Sequence, residues 1–172
     1  ADAMTVQEHF KVLSEAPICY LGDGNNIVHS WLNLASRVPI TFIIATTQKT
    51  LPDMELVQYA KKQGVSDVKI INDPVEAVRD AKILYTDVWA SMGEKEKADE
   101  RRKLLMPYQI NSHILSKAAS GAKVMHCLPA ERGWEITSEV LDGPQSIVLD
   151  QAENRLHGQK AVLLMLDCWF RS

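Results

Sequence analysis

Aromatic side chains are scarce: Trp, Tyr and Phe together make up 6% of the 172 residues, so most of the core must come from aliphatic side chains. Cysteine is scarcer still. Cys19, Cys127 and Cys168 fall in no zinc or redox spacing, and an odd number excludes a fully paired disulfide framework. That count fits a reducing compartment, so a cytoplasmic location is expected, or an organelle matrix in a eukaryote. The longest apolar run, Ala161 to Leu166, is far below the roughly 20 residues a membrane-spanning helix needs. No charge of one sign dominates. A formal net charge of −3 gives no basis for a nucleic-acid or anionic-membrane partner. No signal or transit pattern is visible, and no internal repeat or low-complexity segment is present.

What remains is an ordinary globular composition, 46% hydrophobic and 24% charged, at a length that suits one domain over residues 1–172. Ala3, Val6, Phe10 and Leu13 recur at helical spacing from the first residues. A chain that opens inside a helix is expected to be a piece of something longer. Short apolar runs at Ala16–Leu21, Ile40–Ala45, Val68–Ile71, Ile83–Tyr85 and Ala122–Met125 read as strands. Helical patterns separate them: about Ile27–Arg37, Leu51–Gly64 with Gly64 as C-cap, Pro74–Arg79 behind Asn72-Asp73, and Asn111–Ala119. Strand–helix alternation with short connections predicts a three-layer, doubly wound parallel sheet of the α/β, Rossmann-like class. Glu94–Lys103 is dense in charge and reads as a solvated helix with an Asp99–Lys103 pair. Ser138–Leu141 makes a turn of helix, and Ser146–Leu149 is a last short apolar segment. Asp150 is expected to cap a final helix, Gln151–Phe170, whose second half is apolar on nearly every side.

Ligands of open α/β sheets bind beyond the carboxyl ends of the strands. Three stretches fall there. Gly22-Asp23-Gly24-Asn25-Asn26 follows the first strand, but Ile27 stands where a dinucleotide fingerprint needs its third glycine, so no phosphate cradle is read. Its two asparagines are suited either to a ligand carboxylate or to capping the helix. Asp87 follows the fourth strand, and a strand-end carboxylate supports little packing. Met125-His126-Cys127-Leu128-Pro129 closes the fifth, with Pro129 ending the strand and holding Leu128 extended. His126 suits a packing role and a site role about equally; a buried, inert Cys127 is the bland alternative. His29, beside Ser30, is placed behind the same pocket.

These motifs, Gly22-Asp23-Gly24-Asn25-Asn26, Asp87 with Ser91-Met92-Gly93, His126-Cys127-Leu128-Pro129 and Ala152-Glu153-Asn154-Arg155, stand in order and at a spacing that resembles the ornithine-binding, carboxy-terminal half of the ornithine carbamoyltransferases. The Ser-Met-Gly loop separates this pattern from the aspartate, putrescine and N-acylated-ornithine relatives. The resemblance implies transfer of a carbamoyl group from carbamoyl phosphate to the δ-amine of L-ornithine, giving citrulline and phosphate in arginine biosynthesis. It implies Asn26, Asp87, Ser91, Met92 and Cys127 as ornithine-binding residues. Cys127, Leu128 and Arg155 would contact carbamoyl phosphate, and Cys127 and Arg155 are the catalytic candidates. No cofactor and no metal are expected. The intact enzyme is expected to be a homotrimer or larger. The family's S-T-R-T-R and H-P-x-Q motifs do not occur here, so an amino-terminal carbamoyl-phosphate domain is expected as a partner, with helices in 1–13 and 151–172 against it. The rival readings are an amino-acid-binding module without catalysis, a relative using another amine, and a generic nucleotide binder.

Overall fold

The computed structural model describes residues 1–89 and 95–171. Its centre is a five-stranded, all-parallel sheet: β1 (Ile18–Leu21), β2 (Thr41–Ala45), β3 (Asp67–Ile71), β4 (Ile83–Thr86) and β5 (Lys123–His126). The order across the sheet is β3-β2-β1-β4-β5. Register pairs Ile18 with both Phe42 and Ile83, and Thr86 with His126. Successive strand residues face opposite sides, as pleating demands. Ile18, Tyr20, Phe42, Ile44 and Tyr85 join one core with Val28, Trp31 and Leu32 of α2 (Asn26–Ala35) and Val57 of α3 (Met54–Gln63). Cys19, Leu21, Ile43 and Leu84 join the other, with Ala77 of α4 (Pro74–Val78), Ile114 of α6 (Ser112–Lys117) and Val140 of α7 (Ser138–Leu141). The result is the three-layer α/β fold expected from the alternation. α1 (Asp2–Phe10), α5 (Lys95–Leu105) and α8 (Val148–Arg171) complete it, with short 3-10 turns at Leu13–Glu15 and Met106–Tyr108.

Sequence punctuation accounts for most helix ends. Asp53, Asp73 and Asn111 each accept backbone N–H groups at the starts of α3, α4 and α6, and Gly64 ends α3 in the left-handed region at φ 65°. The last helix departs from expectation. It begins at Val148, so Asp150 is no cap but lies in the first turn, where it meets His9 at 2.9 Å. The expected apolar segment Ser146–Leu149 reduces to one bridge, Ser146 to Val124, because Ile147 and Val148 are drawn into the two cores as the helix starts. The first helix is likewise shorter than expected, ending at Phe10.

Strand order reverses between β1 and β4, so their carboxyl ends open a crevice. The turn after β1 is pinned from outside: Gly24 N–H donates to the Thr50 carbonyl at 2.8 Å. A Cβ at Gly24 would lie 2.2 Å from the Pro52 nitrogen. Only glycine lets these two loops meet. Gly24→Ala is therefore expected to lower unfolding free energy by about 1–3 kcal/mol as the loops are forced apart. Urea denaturation checks this; an unchanged midpoint would mean the loops separate freely.

Candidate active site

Three strand ends converge at the crevice. After β1 comes Asn25, which caps α2: its Oδ1 accepts from the N–H groups of Ile27 (3.0 Å) and Val28 (3.4 Å). Its Nδ2 donates to Asp87 Oδ2 at 2.8 Å. Asp87 follows β4 and is the hub. Its Oδ1 also accepts from Val88 N–H (2.8 Å) and from the Cys127 thiol (2.8 Å), which follows β5. A cap, a carboxylate and a thiol from three separate loops are thus held by one side chain. The sequence leads one to expect that Asp87 supports little packing; what it supports is hydrogen bonding, since three donors would each lose an acceptor without it.

The thiol is not poised as a nucleophile. Burial first, then the hydrogen bond and negative charge of Asp87, push its pKa well above the ordinary thiol value. The turn after β1 carries a second, half-buried carboxyl. Burial raises the pKa of Asp23, against the pull of Arg101, whose guanidinium lies 3.2 Å away. Arg102, next along α5, meets Glu131 at 2.7 Å and stacks 4.7 Å from the Trp134 ring. Asp99 meets Arg102 at 3.4 Å, where the sequence suggested Lys103. The charged helix is therefore tied to the loops after β1 and β5 by its own arginines; sequence pairs seen only at i,i+4 could not reveal that.

Beneath the crevice lies a buried polar network. Gln151 of α8 accepts from His126 N–H at 2.9 Å, and its amide donates to Asp2 Oδ1 (3.1 Å) and to the Tyr85 hydroxyl (3.1 Å). The Tyr85 hydroxyl in turn donates to Asp2 Oδ2 at 2.7 Å. Asn154 donates to Thr5 (3.0 Å) and Glu8 (2.6 Å), fastening α8 to α1. These links settle where α8 crosses the sheet, and hence where Arg155, one residue on, projects.

An open cavity of about 1030 Å³ lies over this edge, lined among others by Asp2, Ile27, Ser30, Trp31, Cys127, Leu128 and Arg155. A second, of about 630 Å³, shares Cys127, Leu128 and Arg155. Arg155 is exposed and makes no hydrogen bond or ion pair among the described residues. Asn26 is exposed in the first turn of α2, with its side chain similarly unengaged. The two asparagines divide the roles that the sequence offered jointly: Asn25 caps, Asn26 faces out. His29 accepts from Asp53 N–H at 3.1 Å and so joins α2 to the start of α3. Ser91 and Met92 lie outside the described residues.

His126 is buried, with Nε2 3.0 Å from Glu135 and Nδ1 accepting from Leu128 N–H at 2.8 Å. That last bond folds the chain back on itself. Leu128 takes φ 50°, not the extended geometry expected before a proline, and the Leu128–Pro129 peptide is cis. Ligand atoms of Asp87, His126 and Cys127 all lie within 4.8 Å of one another. Both ring nitrogens of His126 are already engaged, so the cluster fits a hydrogen-bonded site better than a metal centre.

Residues 14–166 match the family model described as aspartate/ornithine carbamoyltransferase, Asp/Orn binding domain. The chain belongs to this family. It is 50% identical over 164 residues to a chloroplastic ornithine carbamoyltransferase of Pisum sativum, covering 95% of this chain and 44% of that protein. To the anabolic ornithine carbamoyltransferase of Pyrococcus furiosus it is 42% identical over 169 residues, covering 96% and 54%. The solved Pyrococcus furiosus ornithine carbamoyltransferase superposes with a TM-score of 0.88 at 43% identity, covering 94% of this chain and 53% of that one. This carbamoyltransferase domain thus spans about half the length of the relatives it matches. Among its described residues no helix is long and apolar enough to cross a membrane.

Two features of the domain escaped the sequence: Asn25 as the partner of Asp87, and Glu135 as the partner of His126. A Gly-Asn turn before a helix signals the cap, but nothing in one sequence shows that the capping amide reaches a residue 62 positions away.

Proposed function

We propose that this chain supplies the ornithine half of an ornithine carbamoyltransferase site, in which carbamoyl phosphate and L-ornithine give L-citrulline and phosphate. The observation that carries the reading is the Asp87 carboxylate, fixed at the switch point between Asn25 and Cys127, the latter lining a cavity together with Arg155. A carboxylate there can accept from an amino acid's ammonium, and the exposed amide of Asn26 can donate to its carboxylate. Ser91 and Met92 complete the clamp in this reading. Held at both charged ends, ornithine loses rotational freedom and its δ-nitrogen is aimed at the carbamoyl carbon. The carbonyls of Cys127 and Leu128 accept from the carbamoyl NH₂. The guanidinium of Arg155, unpaired among the described residues, donates to the carbamoyl oxygen, where negative charge develops. Cys127, protonated and bonded to Asp87, orients the amine, which is the nucleophile. An amino-terminal carbamoyl-phosphate domain, a homotrimeric or larger assembly and a cytoplasmic or organelle-matrix location belong to the same reading and rest on the family resemblance.

Titration of the chain with L-ornithine, with norvaline (which has no δ-amine) and with NAD tests it. Ornithine binding without NAD binding is expected; the reverse would favour a nucleotide binder. Activity, measured with the carbamoyl-phosphate half present, is expected to rise from pH 6 to pH 9. The δ-amine resembles lysine, with a reference pKa of about 10.4, and only its neutral form attacks. The raised thiol pKa keeps Cys127 protonated across that range, so it adds no second rise. A flat kcat/KM profile would contradict the assignment.

A further inference from the structure

Glu135, the partner of His126, is fully buried, yet the carbamoyl-transfer reading gives it no role. It sits one residue beyond Trp134, in the loop that leaves the fifth strand. One oxygen, Oε1, accepts from His126 Nε2 at 3.0 Å and also from the Glu131 N–H. The other, Oε2, is buried with no partner among the described residues. Both side chains of the His126–Glu135 pair are inaccessible to solvent. Burying a carboxylate with half its acceptor capacity unused is unfavourable, and an apolar pair would fill the space without that penalty. The arrangement therefore calls for a reason other than packing.

The reason lies in what the pair holds. Leu128 N–H donates to His126 Nδ1, so that nitrogen carries no proton and the ring proton belongs on Nε2, facing Glu135. Glu135 thereby selects the tautomer that can accept from Leu128. At the same time it grips Glu131, so both ends of the segment 128–131 are fixed by one carboxylate. Leu128 is held in the left-handed region at φ 50°, a conformation that a leucine adopts only when its surroundings impose it. This same residue and Cys127 line both cavities together with Arg155.

We infer that Glu135, acting through His126, is a positioning residue that holds the Cys127–Leu128 backbone in line with Arg155. This rests on the carbamoyl-transfer reading above and deepens it. Its effect belongs on turnover rather than on ornithine affinity. Asp87 and Asn25 come from other loops, and their own hydrogen bond, together with the Val88 N–H on Asp87, persists when the Cys127 thiol moves away.

Two measurements on Glu135→Leu and Glu135→Gln test this, both in a Cys168→Ser background because Cys168 is the exposed thiol. The first is the rate of Cys127 alkylation by iodoacetamide in the 172-residue chain, which needs no activity. Glu135→Leu is expected to speed it at least 10-fold as the segment slips and the Cys127–Asp87 bond opens. Glu135→Gln keeps an acceptor and is expected to stay within about 3-fold of the parent. The second is steady-state carbamoyl transfer with the carbamoyl-phosphate half added. Glu135→Leu is expected to lose at least 100-fold in kcat with ornithine KM changed less than about 3-fold, and Glu135→Gln to recover most of the loss. An unchanged alkylation rate in Glu135→Leu overturns the inference. So does a loss that appears in KM alone, or one that follows the fraction unfolded in both variants. If the parent itself transfers no carbamoyl group, the proposed function fails, and the alkylation arm still decides the positioning.

Discussion

Asp87→Ala is expected to weaken L-ornithine binding by about 10-fold or more. One charge-assisted hydrogen bond is worth roughly 1.5–3 kcal/mol, and each 1.4 kcal/mol is about a factor of ten. The substitution removes more than a ligand contact. The amide of Asn25, the thiol of Cys127 and the N–H of Val88 all lose their acceptor together. Asn25 still caps α2 through its oxygen, so the helix is expected to persist while the crevice loosens. Titration calorimetry reads the affinity and thermal unfolding reads the fold. Asp87→Asn separates charge from shape: an asparagine keeps an acceptor for Cys127 but cannot neutralise an ammonium, so it too is expected to lose affinity. Unchanged affinity in both variants would remove Asp87 from the site.

The 172-residue chain alone is expected to form little or no citrulline, and adding a carbamoyl-phosphate-binding half in trans is expected to restore it. Carbamoyl phosphate carries its charge on the phosphate, and this sequence contains neither S-T-R-T-R nor H-P-x-Q to hold it. Arg155 and the Cys127 and Leu128 carbonyls can touch only the carbamoyl end. Without the phosphate anchored, the carbamoyl carbon is not delivered to the δ-amine and the advantage of proximity is lost. The final helix fits the same proposal. α8 runs 24 residues to Arg171, and beyond Gly158 its side chains stand in solvent, Met165 73% and Phe170 86% exposed. An apolar patch of that extent marks an interface, so the chain alone is expected to self-associate in sedimentation. Turnover by the purified chain near the rate of the reconstituted pair would overturn the half-site reading.

The architecture was legible because its signals are local. β1 to β5 are short aliphatic runs and the helices between them carry caps within one or two residues, so periodicity and punctuation suffice. Errors fell where tertiary packing overrides local pattern. Asp150 reads as a cap, but Ile147 and Val148 are claimed by the cores and start the helix earlier. Leu128 reads as extended before Pro129, but the ring of His126 takes its N–H and turns the chain. The charge run of α5 is solvated as expected at Asp99, Glu100, Arg101 and Lys103, but no local pattern shows that Arg101 and Arg102 reach across to Asp23 and Glu131.

By itself the sequence determined the doubly wound α/β class and which polar residues stand at the three strand ends. Spacing along one chain is enough for that, because strand, turn and helix are properties of near neighbours. Only the tertiary structure decided which of those residues meet. Asp87 lies 62 residues from Asn25 and 40 from Cys127, and it is the parallel order β1-β4-β5 that sets their carboxyl ends side by side. The same is true of His126 and Glu135: nine residues apart, they form a pair only because the loop between them folds back over a buried carboxylate, and no periodicity records a hydrogen bond made across a turn.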